Sequence, residues 1–202
     1  VNLEMYDWFF SENCLHFILE KIPKQLERLK KVSRDQGFND EVRELRQALH
    51  GCTLPYFNML AKKAESAKAI VRSQEFYNVD RLEWAMNIFR EVMYTISLVY
   101  APARICMPPM ETDLTYKLFI SSDILTAVED SQVNVYRDVY NHILKPAIEE
   151  EKPDVIGISI ALSQQLFSSM TFCSMIKEQF PGIHITIGGN TVTRLRDVLP
   201  KA

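Results

Sequence analysis

Cysteine is scarce in this chain: four in 202 residues, at Cys14, Cys52, Cys106 and Cys173, none near another. That spacing leaves no zinc-finger pattern and no cluster-binding run. A disulfide framework is not expected in so long and cysteine-poor a chain, and the four read as reduced thiols in or near a core. Excess positive charge is also lacking. With 23 Lys and Arg against 26 Asp and Glu, the net charge is -3, so no general attraction to nucleic acid or to an anionic membrane is expected. Apolar runs are interrupted well short of bilayer length, which argues against a transmembrane helix. The opening, with Glu4 and Asp7, is acidic and aromatic rather than the basic start of a signal peptide. Neither Gly-x-Gly-x-x-Gly nor a P-loop occurs, and no repeat or low-complexity tract is visible. Free cysteines without an export signal point to the cytoplasm.

What is present is a globular composition, 47% hydrophobic and 24% charged, in a length that suits one large domain or two small ones. Residues 1 to about 100 read as helices. Leu15, Ile18, Leu19, Ile22, Leu26 and Leu29 recur at helical spacing, with Pro23 predicting a break or kink. Ser33 to Asn39 reads as a turn. Val42, Leu45 and Leu49 mark a second helix ending near Gly51, and Leu54-Pro55 opens a third. Asp80-Arg-Leu-Glu83 has capping-box spacing, and behind it Leu82, Ala85, Met86, Phe89, Met93 and Ile96 form a core stripe. Pro102, Pro108 and Pro109 make Ala101 to Asp113 a linker. Tyr116 to Ile120 reads as a short extended piece and Asp123 to Glu129 as a short helix. Asn134 caps a longer helix made irregular by Pro146, which ends in the solvated run Glu149-Glu150-Glu151.

The most informative stretch follows. Lys152-Pro-Asp-Val-Ile-Gly-Ile-Ser159 and Pro181-Gly-Ile-His-Ile-Thr-Ile-Gly-Gly189-Asn190 are two β-branched runs flanking an amphipathic segment, Gln165 to Phe180. They form a strand–helix–strand unit with a ligand-type loop after each strand. The first strand is apolar enough to suit a parallel strand covered on both faces. The helix's inward stripe is predicted as Leu166, Met170, Cys173, Ile176 and Phe180, and Arg194 to Leu199 starts another helix. In open α/β sheets ligands bind beyond the carboxyl ends of the strands. Ser159, Ser163 and Gln164 after the first strand offer hydroxyls, an amide and backbone N–H groups at a helix start, which suit a polar, electron-rich group; the plainer reading is that Ser163 caps the helix. Gly188, Gly189 and Asn190 after the second would let a flat ligand approach the backbone; the plainer reading is a tight turn, with Thr191 or Thr193 capping the last helix. His16, His50, His142 and His184 have no metal-ligand spacing, His184 facing a sheet surface, and no catalytic residue can be named.

These residues carry a resemblance. The run from Lys152 to Ser159, the helix ending Ile-Lys-Glu-Gln-Phe-Pro and the strand Ile-Thr-Ile-Gly-Gly-Asn are similar to the cobalamin-binding domain of radical S-adenosylmethionine enzymes, over residues 152–200. Val-Asn-Leu-Glu-Met-Tyr-Asp at the start resembles the exit from that domain's second strand. The resemblance implies that Ser159 and Ser163 line the pocket of the cofactor's nucleotide tail, that Gly188 and Gly189 leave room for its benzimidazole, and that Gln164 and Asn190 add polar contacts. It implies a helical insertion over residues 8–150 and a parent enzyme of methyltransferase type. That parent's catalytic barrel would hold the iron–sulfur cluster and S-adenosylmethionine and act on an unidentified substrate, a peptide among the candidates. The Asp-x-His-x-x-Gly motif of classical cobalamin domains and the Cys-x-x-x-Cys-x-x-Cys cluster motif are both missing here, so no cobalt ligand is named and the chain alone is not expected to cleave S-adenosylmethionine.

The fold expected is α/β: a partial Rossmann-like, doubly wound parallel sheet beside a large helical region, helix-dominated overall. Residues 1–110 form the helical region and 111–202 the partial cobalamin-binding-like domain. Two strands cannot bury a doubly wound sheet, so the chain is expected to be a fragment or to pair with another chain. Two rival functions remain: a helical protein- or peptide-interaction module on an α/β scaffold, and a nucleotide- or flavin-binding domain.

Overall fold

A computed structural model describes residues 2–35, 40–106, 111–113, 116 and 120–195. Helix dominates, and the chain divides into two compact units, residues 2–113 and 114–202.

The first unit is built from helices α1 (Asn2–Phe9), α2 (Glu12–Asp35), α3 (Asp40–Gly51), α4 (Leu54–Val71) and α5 (Val79–Tyr100). The helical spacing read in α2 is seen as a buried stripe of Leu15, Ile18, Ile22, Gln25 and Leu29. Pro23 does not break α2, which runs through it; the proline is exposed on the solvent side, away from the stripe that holds the helix in place. Of the turn expected over Ser33 to Asn39, α2 extends to Asp35 and 36–39 lie outside the described residues. In α4 Ala61, Ala64 and Ala67 alternate with Phe57, Leu60 and Ile70 in the buried face, and α4 packs on α5. The cap of α5 is Asn78, not Asp80: its side chain accepts from the Arg81 amide at 3.1 Å. Asp80 lies in the first turn, where its charge favours the helix dipole. Near its end α5 is buried all round, from Thr95 to Tyr100, because a hairpin covers it. The expected linker contains this hairpin, β1 (Arg104–Cys106) paired antiparallel with β2 (Glu111–Asp113). Buried Ser97 fastens it, accepting from the Ile105 amide at 2.8 Å and donating to the Met93 carbonyl at 2.7 Å.

The second unit contains α6 (Ser121–Glu129), α7 (Val135–Val139), a π-helical turn (Tyr140–Leu144), α8 (Lys145–Glu151), β3 (Val155–Ser159), α9 (Gln165–Gln179), β4 (His184–Gly188) and α10 (Asn190–Leu195). Most of the extended piece expected over Tyr116 to Ile120 lies outside the described residues. Asn134 caps α7 as read, accepting from the Tyr136 amide at 3.1 Å. Being fully buried, it also donates to the carbonyls of Ala127 (3.2 Å) and Val128 (3.0 Å) and to the Thr171 hydroxyl (2.9 Å). One amide thus joins the end of α6, the start of α7 and the middle of α9. The irregularity expected from Pro146 is the π-helical turn just before it. Glu149, Glu150 and Glu151 are exposed.

The strands β3 and β4 pair in parallel, Val155 opposite His184 through Ser159 opposite Gly188. Among the described residues no third strand joins them. The expectation that the first strand is covered on both faces is corrected. Val155, Gly157, Ser159, His184 and Thr186 form an open face, while Ile156, Ile158 and Ile185 on the other are half-buried. The stripe predicted for α9 is corrected as well. Its buried residues are Phe167, Ser169, Thr171, Phe172, Met175 and Ile176, since this side meets α6 and α7. The Tyr136 ring lies edge-on to Phe167 at 5.5 Å and to Phe172 at 6.1 Å. Leu166, Met170, Cys173 and Phe180 are half-buried; a helix apolar on two sides offers two stripes, and periodicity does not choose between them. No described helix is long and apolar enough to cross a membrane.

Tyr140 is fully buried and donates to the Met175 carbonyl at 3.4 Å. Burial, and then the carboxylates of Glu149 and Glu178, push its phenol up from 10.0 to about 12. The unfolded chain ionises first as pH rises, so this contribution to stability is intact below pH 10 and is lost from there to about 12. Urea unfolding followed across that window should show a fall in stability that is shallower in Tyr140→Phe. Parallel falls in the two proteins would show that this phenol plays no part.

Candidate functional site

The two loops singled out in the sequence are joined to each other through the backbone of one residue. Strand β3 ends at Ser159, and the next residue, Ile160, is fully buried. Its amide donates to the Gly188 carbonyl at 2.8 Å, extending the parallel ladder by one bond, and its carbonyl accepts from the Thr191 amide at 3.1 Å. Gly189 lies against this peptide with φ +104, a region side chains rarely adopt, and a Cβ there would sit 2.6 Å from the Ile160 oxygen. Its glycine is therefore required by the fold itself. Gly188 differs: a Cβ there would meet nothing within 4 Å, and the same holds at Gly157, two residues before Ser159. Hence the open space at the strand ends adjoins Gly188 and Ser159, on the open face of the sheet, and Gly189 anchors the turn.

The loop after β3 is closed by a residue the sequence did not reveal. The side-chain oxygen of Gln165 accepts from the amides of Ala161 at 2.8 Å and Leu162 at 3.1 Å. These groups, read as available N–H donors, are satisfied internally. A glutamine reaching back to amides just upstream resembles half of a capping box, but no spacing rule marks it. Ser163 does not cap α9; its hydroxyl donates to the Gln164 side-chain oxygen at 3.3 Å, and both residues stay on the surface side of the loop. Asn190 is the first residue of α10, exposed, and Thr191 and Thr193 lie within that helix rather than capping it. The Thr193 hydroxyl donates to the Gly189 carbonyl at 3.0 Å. Ser159 and Gly188 are thus brought side by side by register, with Gly189 and Ile160 immediately behind; Ser163 and Gln164 form a separate polar pair further along the loop.

A shallow hollow of about 340 Å³ lies elsewhere in this unit, lined by Ile148, Glu149, Lys152, Pro153, Phe180 and Ile183. Pro153 and Ile183 precede β3 and β4, so it adjoins the amino ends of the strands, away from the crevice expected at their carboxyl ends.

Among the described residues no group of His, Cys, Asp and Glu could hold a metal ion. His16 meets Asn58 at 3.0 Å, and His50, His142 and His184 are exposed. Cys14 is buried, while burial pushes the thiols of Cys52 and Cys173 up; a raised thiol is a poor nucleophile. The side chain of Cys106 lies outside the described residues. No protein-family model, curated protein or solved structure matches the chain.

The glycine pair gives a two-sided prediction. Gly189→Ala should lower the unfolding free energy by about 2 kcal/mol through backbone strain and contact with Ile160, whereas Gly188→Ala should stay within about 0.5 kcal/mol of the parent. Urea denaturation decides, and equal effects would contradict the division of roles.

Proposed function

We propose that residues 114–202 are the cobalamin-binding region of a radical S-adenosylmethionine enzyme, forming part of a doubly wound Rossmann-like sheet. The observation that carries this reading is the open shelf of small residues at the carboxyl ends of two paired parallel strands, where Gly188 and Gly157 leave space beside the hydroxyl of Ser159. A flat heterocycle needs such a shelf. The aligned strand ends also match the general position of ligands in open α/β sheets. Ser159 and Ser163 would hold the nucleotide tail by hydrogen bonds, with Gln164 and Asn190 as further polar contacts and Gly188 beneath the ring. Gly189 serves indirectly, by fixing Ile160 and thereby the height of the shelf. No cobalt ligand from this chain is proposed.

When bound, cobalamin supplies methyl-transfer chemistry, and the polypeptide contributes orientation. In this reading the iron–sulfur cluster and S-adenosylmethionine belong to a separate barrel domain of a cytoplasmic parent enzyme of methyltransferase type. The open face of β3 and β4 is where further sheet or helix would close the crevice, since parallel sheets are normally covered on both faces.

A second reading has its own observation. The helical unit exposes a concentration of apolar side chains, Phe76, Tyr77 and Val79, at the start of α5, which favours a protein-interaction role for that unit.

Equilibrium dialysis against hydroxocobalamin tests the first reading. Saturable retention is expected, and Gly188→Leu should weaken it at least about tenfold while leaving the thermal midpoint unchanged. Equal retention by the variant, or release of a nucleotide or flavin on mild denaturation, would contradict it.

A further inference from the structure

The surface at the start of α5 carries chemistry that a solvent-facing helix end does not need. In the space of nine residues, Phe76 is 41% exposed, Tyr77 80%, Val79 76% and Trp84 39%. Scattered single apolar residues are ordinary on a protein surface, but Phe76, Tyr77 and Val79 stand almost consecutively at the start of α5, with Trp84 little more than one turn further on. Phe76 and Tyr77 hold each other edge-to-face at 5.4 Å, so the rings are presented in a fixed relation.

The charges around this patch are unbalanced. Its cations are already engaged: Arg81 pairs with Glu75 at 3.2 Å, and Arg72 pairs with Asp7. Asp80 and Glu83 are exposed, and no ion pair engages either among the described residues. On a helix, positions three and four apart are neighbours about 5–6 Å apart at Cβ, so Asp80, Glu83 and Trp84 share one face. Asp80 has a structural use at the helix start, but that use explains neither Glu83 nor the exposed rings. Carboxylates beside aromatic faces are complementary to a cationic side chain, which gains both an ion pair and a cation–π contact. The aliphatic surface of Val79 and the Phe76 ring would cover apolar neighbours of that cation.

We propose that the Phe76–Trp84 surface docks a polypeptide segment in which Lys or Arg stands beside apolar side chains. The same carboxylates disfavour an anionic lipid surface, and an acidic segment would be repelled. This proposal concerns the helical unit and does not depend on the cobalamin reading.

The test uses the full chain with Trp8→Phe, so that Trp84 is its one tryptophan. Its fluorescence is titrated with a Leu–Lys amphipathic peptide, the matching Leu–Glu peptide, and vesicles of phosphatidylcholine with phosphatidylserine. Calorimetric titration of the chain with both tryptophans retained supplies an independent ranking. Saturable binding of the Leu–Lys peptide alone is expected. Tyr77→Ser, which changes no charge, and Asp80→Asn with Glu83→Gln should each weaken it at least about tenfold. Circular dichroism should show both variants folded, because the altered side chains are exposed. No binding of the Leu–Lys peptide, equal binding of the Leu–Glu peptide, binding to the vesicles, or affinity unchanged by Tyr77→Ser would overturn the proposal.

Discussion

The backbone of Ile160 is the point on which the candidate crevice depends. It donates to Gly188, accepts from Thr191 and lies against the face of Gly189. Three consequences follow from that one clasp. It prolongs the parallel ladder beyond Ser159, so the strand ends stay in register. It ties the start of α10 to the end of β3, so the two loops cannot separate without breaking backbone bonds. It also requires a glycine at position 189, which explains one member of the glycine pair and leaves the other, Gly188, with open space. A buried backbone group left without its partner costs about 1–3 kcal/mol, so the clasp is strongly favoured once the strands have paired.

In the same unit, the amide of Asn134 performs a similar joining role among α6, α7 and α9, and its hydrogen bonds are all internal. Helices α6 and α7 therefore pack on α9 of the strand–helix–strand unit, while the sheet face with Val155, Gly157 and Ser159 remains open. An open face of a parallel sheet, lined by small residues at its carboxyl end, is the physical basis for the ligand reading. The exposed aromatic and acidic surface of α5 is a separate feature of a separate unit, and the two readings stand or fall independently.

Much of this architecture was legible in the sequence because it rests on periodicity. Ile18, Ile22 and Leu29 in α2, and Phe89, Met93 and Ile96 in α5, lie on the buried faces their spacing indicates, and the two β-branched runs are paired strands. The misses have definite causes. Pro23 was tolerated because tertiary packing on the opposite face outweighs one missing amide bond. The cap of α5 moved from Asp80 to Asn78 because two residues of suitable chemistry stood within one turn. The buried side of α9 was misassigned because that helix has apolar residues on two sides, and only its neighbours decide which is covered. The different roles of Gly188 and Gly189 were invisible because they arise from Ile160, distant in sequence and made a neighbour only by the parallel pairing. Gln165 was missed for a related reason: its amide acts on loop geometry, which no spacing rule encodes.

The claim that the two loops are clasped into one crevice is tested most directly by backbone amide hydrogen exchange measured by NMR on the full chain. The amides of Ile160 and Thr191 should be protected together with the strand amides of β3 and β4, and should lose protection together in Gly189→Ala. Rapid exchange at Ile160 and Thr191 while the strand amides remain protected would mean that the loops move independently, and the account of the crevice would be wrong.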